Sequence, residues 1–446
     1  MPKKHITESI MIFISIAKWL ILATGTGILV GISTALFLKT LDWSIHCAAQ
    51  YTYYFLLLPV AFLLCVILVN YLAPDAKGHG TEKVIEAVHK NAGRIKAVVV
   101  PVKFVATVIT IALGGSAGKE GPSAQIGAGT ASLVADLLRL NDHERKKLVI
   151  CGISAGFASV FGTPIAGAIF GVEVLFAGRL LYDVLLPSFI AGIVSFQVTS
   201  HLGIHYFYHF AKFVPVFTNM FFIDVVIAGI LFGICAILFI EIVRLIEQWA
   251  DKIKTGKPLK AILGGLILVL LVCIFSKDYL GLGLDTIKSA LEGHTTHWYS
   301  FIVKAIFTGV TLGFGGSGGI ITPVLFTGAA SGTLVASLLH VDPATFAAIG
   351  LVSVLAGATN TPIASSIMAI ELFGSLIGPY AAISCVISYF MTGHRSVYPS
   401  QVFEIKKSQY INFDAGSEVG EIQTELSQNS RIVKMVNNIL QKLHVK

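Results

Sequence analysis

Four stretches of this chain, Met11–Leu41, Tyr53–Leu72, Phe221–Ile240 and Leu259–Phe275, are almost wholly apolar, with at most two charges each. A helix needs roughly 20 such residues to cross a bilayer, and these segments reach or approach that length. Val98–Leu113 and Leu148–Phe176 are similar but are interrupted by Gly, Pro or a single charge. Only 13% of the residues are charged, against about 25% in soluble domains, and 55% are hydrophobic. A soluble fold has nowhere to put that apolar surface. Inside lipid each backbone group must be satisfied within its own segment. The chain therefore reads as an all-α polytopic integral membrane protein.

The basic start "MPKKHITES" predicts a cytoplasmic N-terminus. The apolar run behind it is too long for the core of a cleavable signal and has no clear cleavage site. The net charge of +7 gathers in polar segments such as "NDHERKK" and "DKIKTGKPLK". That distribution fits cytoplasmic loops and a cytoplasmic tail better than a nucleic-acid partner. The six cysteines are scattered singly in apolar context, and small apolar filler is the expected role. No metal-ligand spacing is present. Neither HExxH, GxSxG nor paired aspartates occur, so the sequence offers no enzyme chemistry.

The chain repeats itself at an offset of about 200 residues. "GTPIAGAIFGVEVLF" (Gly162–Phe176) matches "NTPIASSIMAIELFG" (Asn360–Gly374), and "GTASLVADLL" matches "ASGTLVASLL". "GGSAGKEGP" (Gly114–Pro122) lies over "GGSGGIITP" (Gly315–Pro323). The expectation is one membrane domain over residues 1–400, built from halves at about 10–210 and 215–400. In membrane transporters such halves often have inverted topology, with broken helices framing a site at their interface. The tail, 401–446, is expected to hold only a short amphipathic helix, with Ile432, Val433, Val436, Ile439, Leu440 and Leu443 at helical spacing.

The glycine-rich breaks read as helix starts. Pro122 and Pro323 suit a first helical turn, and "GHGTEKVIEAVHK" (Gly78–Lys90) opens a polar helix. Each start leaves unpaired N–H groups at the positive end of a helix dipole. Several of them converging bind an anion without a full charge, which keeps the site weak enough for rapid release.

These residues resemble the CLC family of chloride channels and proton-coupled chloride transporters. "GKEGP" is similar to the family's central motif, "GGIITP" to its repeat partner, "GHG" to its first anion-site loop and "HRSVYP" (His394–Pro399) to its inner tyrosine motif. The likeness spans Met11 to about Pro399. It implies the CLC fold of tilted, broken helices in inverted repeats, and a homodimer in an inner or plasma membrane with both termini cytoplasmic. It implies chloride as the bound substrate, with protons possible, and no cofactor.

The resemblance makes Glu120 the gate. Ionised, its carboxylate sits in the anion's outer position; protonated, it swings aside. It places His79, Gly80, Gly118, Lys119, Gly121, Gly319, Ile320, Ile321 and Tyr398 around the anion. Lys119 either lends positive potential to the entrance or pairs with another acid. Tyr398 either offers its hydroxyl to the anion or belongs to an interfacial belt. Two positions depart from the family. His79 stands where many members have serine, which puts halide selectivity and pH response in question. Val174 stands where exchangers carry their proton glutamate, while the neighbouring Glu173 is expected to be structural, with its repeat partner Glu371. Val174 favours a passive gated chloride channel. Proton-coupled exchange, with water or His79 carrying the proton, and transport of another halide such as fluoride remain alternatives. No cystathionine-synthase-type regulatory pair is expected after Pro399.

Overall fold

A computed structural model describes residues 2–206, 219–422 and 424–427. Its helices fall into two series of eight. The first is α1 (Pro2–Ala49), α2 (Leu58–Leu72), α3 (Thr81–Lys90), α4 (Val99–Ala112), α5 (Glu120–Leu137), α6 (Asp142–Phe161), α7 (Pro164–Glu173) and α8 (Tyr182–His201). The second is α9 (Asn219–Lys252), α10 (Lys257–Ile274), α11 (Leu284–Leu291), α12 (Ser300–Gly313), α13 (Ile321–Leu339), α14 (Pro343–Thr359), α15 (Pro362–Phe373) and α16 (Gly378–Met391).

The local rules repeat with the sequence. Asn141 caps α6 by accepting from Glu144 N, and Asp342 caps α14 by accepting from Thr345 N. Each helix ends on a left-handed residue, Gly162 or Asn360, as a helix C-terminus favours. The packing repeats too: α5 lies on α6 and α13 on α14, and α1 meets α8 as α9 meets α16. Six helices among the described residues are long and apolar enough to cross a membrane. Helices α3, α7, α11 and α15 hold only 8 to 12 residues. At 1.5 Å per residue each spans only part of a bilayer.

Three sets of contacts join the halves, and each is reciprocal. Gly118 N donates to Gly319 O and Gly319 N to Gly118 O, both at 2.6 Å, in an antiparallel bridge. Ser116 N donates to Thr311 Oγ1, and Ser317 N to Thr110 Oγ1. Glu173 accepts from the Ile363 and Ala364 amides that open α15, and Glu371 accepts from the Ile165 and Ala166 amides that open α7. Residue i meeting j while j meets i defines a two-fold relation. The halves are thus inverted, and α5 and α13 run in opposite directions from starts that meet. Glu173 and Glu371 have the structural role expected of them: each caps the other repeat's helix.

Two expectations change. Helices α5 and α13 begin at Glu120 and Ile321, two residues before the prolines, so Glu120 itself opens its helix. The described tail is also more than a polar strand of coil. β2 (Val402–Phe403) pairs in parallel with β1 (Phe176–Ala177) and antiparallel with β4 (Ser417–Glu418). β3 (Ile411–Asn412) pairs with β5 (Glu425–Leu426). The expected helix around Ile432–Leu443 lies outside the described residues.

Close packing depends on glycine at matched points. A Cβ on Gly152 would lie 2.5 Å from Gly127 O, and one on Gly350 2.5 Å from Gly328 O. Gly152→Val and Gly350→Val are each expected to lower stability by at least ~1–3 kcal/mol, the usual cost of overpacking. Thermal unfolding followed by size exclusion checks this. Gly25→Ala, whose Cβ meets nothing within 4 Å, should leave the midpoint in place.

Candidate anion site

The Gly118–Gly319 bridge sets the starts of α5 and α13 side by side. Glu120 is 2% exposed. Its Oε2 accepts from Thr322 N at 3.1 Å and from Thr322 Oγ1 at 2.5 Å. The carboxylate of one repeat thus sits on the N-terminus of the other repeat's helix, where the dipole favours negative charge. The glycines make this approach possible. A Cβ on Gly118 would stand 2.5 Å from Glu120 Oε2, and one on Gly319 2.8 Å from Gly121 N. The amides of Ile320 and Ile321, at the start of α13, have no intrahelical acceptor.

Helix α3 supplies a third N-terminus. Gly80 precedes it at φ 80°, and a Cβ there would lie 2.4 Å from Gly121 O. A Cβ on Gly121 would in turn lie 2.1 Å from His79 O. So α3 begins against the residue that follows Glu120. Its repeat copy, α11, does not reach the centre: the space beside Gly283 is taken by the Phe326 ring and Lys304 Nζ.

Tyr398 is fully buried. Its hydroxyl lies beside Thr81 without the geometry of a hydrogen bond, and near Glu120. Four buried polar atoms here, Tyr398 Oη, Thr81 Oγ1, His79 Nδ1 and the acceptor Glu82 Oε2, have no hydrogen-bond partner among the described residues; the first three can donate. An unmade buried hydrogen bond costs about 1–3 kcal/mol. A small anion at this point fits these donors.

The sequence missed the groups that hold this arrangement. Glu82 Oε1 accepts from Ser400 N and Ser400 Oγ, tying the Tyr398 loop to α3. Lys103 Nζ, fully buried, donates to Ala76 O and Gly78 O and fixes the loop that carries His79. Its repeat copy Lys304 does the same to Tyr279 O and Gly281 O. "PVKFVA" over "FIVKAIF", at the common offset, is a sequence signal for this pair. Thr322 stands where the first repeat has Gly121, and no pattern marks it.

A cavity of about 480 Å³ leads to the site, lined by His79, Glu247, Arg244, Ile320, Arg395 and Val397, among others. His79 Nε2 is 3.1 Å from Glu247 Oε1, an acid the sequence reading did not single out. Glu241 accepts from Arg395 Nε at 2.8 Å. At the cavity wall, beyond α16, burial with the nearby Lys407 and Arg395 charges pushes the His394 imidazole down to about 4. Lys119 makes no ion pair among the described residues; the acids nearest it are Glu120 and Asp42. Val174 is buried, with its carbonyl accepting from Gln401 Nε2.

Comparison with known proteins shows the family. The family model "Voltage gated chloride channel" matches residues 61–393, and the chain belongs to that family, the CLC transporters and channels. It is 37% identical over 411 residues to the chloride/fluoride channel protein of Pseudomonas syringae pv. tomato, covering 90% of each. It is 27% identical over 382 residues to the H(+)/Cl(-) exchange transporter ClcA of Klebsiella pneumoniae subsp. pneumoniae, covering 79% of this chain and 80% of that one. The crystal structure of a CLC-type fluoride/proton antiporter superposes with a TM-score of 0.83 at 27% identity, over 87% of this chain and 98% of the other. The protein is a multi-pass membrane protein of the anion-transporting CLC type.

The Glu120 carboxylate holds the α13 N-terminus; where an anion takes the same place, loosening the carboxylate favours the anion. A hydrogen bond to a charged group contributes about 1.5–3 kcal/mol. Thr322→Val keeps the side-chain shape and removes the hydroxyl donor. The halide concentration for half-maximal flux is expected to fall by ~10-fold or more, measured on reconstituted protein; an unchanged value contradicts the competition.

Proposed function

We propose that this chain exchanges halide for protons, carrying both fluoride and chloride along one pathway per subunit, with Glu120 as the shared gate. What supports exchange over passive conduction is the likeness to proton-coupled relatives, an H(+)/Cl(-) exchange transporter and a fluoride/proton antiporter; Glu120 is placed to couple the two ions. Its carboxylate occupies the end of α13 that an anion would use, buried and held by two donors. While it is ionised, the anion and the carboxylate exclude each other. Protonation removes its charge and its attraction to the helix dipoles, so a proton taken up and an anion admitted belong to one event.

Glu120 gates, the amides of Ile320 and Ile321 and the glycine-lined starts at Gly80, Gly118, Gly121 and Gly319 cradle the anion, and Tyr398 offers its hydroxyl from the cavity side. His79 lines the cavity side of the same site. Lys119, unpaired, lends positive potential to the approach. The fluoride assignment draws on the printed descriptions of two relatives, a chloride/fluoride channel protein and a fluoride/proton antiporter. One observation favours passive conduction instead: position 174 is a buried valine and not an acid.

We place both termini in the cytoplasm of an inner or plasma membrane, and infer a homodimer. Helices α8, α7, α15 and α16 pack in a row. Leu186, Ile193, Ile165, Ile363, Ile370 and Val386 on it are exposed, a contiguous apolar face of the kind that marks an interface.

Reconstituted vesicles test the exchange. A fluoride or chloride gradient is expected to drive protons uphill, and Glu120→Gln to abolish that movement while anions still pass. Wild-type halide flux with no proton movement overturns exchange and leaves the passive channel standing.

A further inference from the structure

The cavity that leads to the site ends inward at one ring. His79 is 9% exposed, and its two nitrogens face different surroundings. Nε2 meets Glu247 Oε1 at 3.1 Å, and the Glu247 side chain is 34% exposed on the cavity wall. Nδ1 is buried and has no hydrogen-bond partner. The pair therefore straddles a boundary, with one end open to the cavity and the other sealed beside the anion site. His79 O lies against Gly121, the residue after Glu120. On the same sealed side stand the unpartnered hydroxyls of Thr81 and Tyr398, with Tyr398 near Glu120.

We propose that Glu247 and His79 form the relay that carries protons from the cavity toward Glu120. The assignment rests on the exchange reading above. Imidazole suits the task because one nitrogen can accept a proton while the other releases one. A protonated Glu247 gives its proton to Nε2, so the O–H bond breaks and an Nε2–H bond forms. The imidazolium then loses its Nδ1 proton toward the Thr81 and Tyr398 hydroxyls and Glu120. This leaves a neutral ring and a Glu247 carboxylate, which takes its next proton from cavity water. When the ring turns Nδ1 to the cavity, water gives a proton to Nδ1 and takes the one on Nε2, which restores the starting tautomer with no net proton moved.

A purely structural ion pair explains less. Such a pair at a cavity wall contributes only about 0–1 kcal/mol. It gives no reason to carry a sealed nitrogen without a partner, which costs about 1–3 kcal/mol. Other charges face the ring but make their own contacts. Glu82 on α3 is held at Oε1 by Ser400, with its buried Oε2 unpartnered among the described residues, Lys103 on α4 by the Ala76 and Gly78 carbonyls, and Arg395 by Glu241. Arg244 shares the cavity wall. Only Glu247 is hydrogen-bonded to the imidazole.

The test measures protons moved per halide in vesicles holding the full chain, with fluoride and chloride as the probes. Glu247→Gln and His79→Asn are each expected to lower the ratio at least ~10-fold, the scale of a positioned acid–base group. The double variant should be no lower than either single one, because both lie on one path. Glu247→Asp should keep most of the coupling, which a role in packing alone would not predict, and it carries the test if Glu247→Gln fails to fold. If Glu247→Gln or His79→Asn keeps the wild-type ratio, the relay is wrong while exchange stands. A wild type that moves no protons uphill overturns the exchange reading, and the relay with it.

Discussion

The structure depends on a carboxylate held at the N-terminus of a helix from the opposite repeat. Glu120 opens α5, yet its charge is received by the Thr322 amide and hydroxyl on α13. That contact needs two helices entering from opposite sides to end within hydrogen-bonding distance of one point. Glycine is what permits it: at Gly118, Gly121 and Gly319 a side chain would collide with backbone or with the carboxylate itself. The Gly118–Gly319 bridge then fixes the register, and the reciprocal caps of Glu173 and Glu371 repeat the same device further out.

The function lies in where the two-fold relation breaks. Glu120 in one repeat stands over Ile321 in the other, so the helix start is built twice while the carboxylate proposed as the gate occurs once. Helix α3 starts against Gly121, while its copy α11 is stopped by Phe326 and Lys304. Tyr398, brought back by the tail's strand pairing and by the Glu82–Ser400 contacts, adds a donor from one side only. In the exchange proposed above, a symmetric scaffold thus yields a pathway with the Glu120 gate at one end and a cavity at the other.

Much of this was legible because the sequence carries the symmetry openly. The aligned glycines proved to be the bonded glycines; α5 and α13 begin two residues before Pro122 and Pro323, and α3 begins three residues after Gly78. Glu173 was recognisable as structural from its repeat partner. What stayed hidden were long-range partners with no local pattern. Glu247 lies 168 positions from His79, and Glu82 meets Ser400 across 318. Thr322 occupies a slot where the other repeat has only glycine. Lys103 reads as a stray charge in an apolar helix until its contacts with the Ala76 and Gly78 carbonyls are seen.

The central claim is that a halide and the Glu120 carboxylate compete for the start of α13. An experimental structure of the Glu120→Gln variant soaked in chloride or fluoride tests it most directly. The account expects halide density at the Thr322 amide, where Oε2 now sits, with a second site within about 3.5 Å of the Tyr398 hydroxyl, the reach of a hydrogen bond. Density confined to the cavity around Arg244 and Arg395, with the start of α13 unliganded, would contradict it.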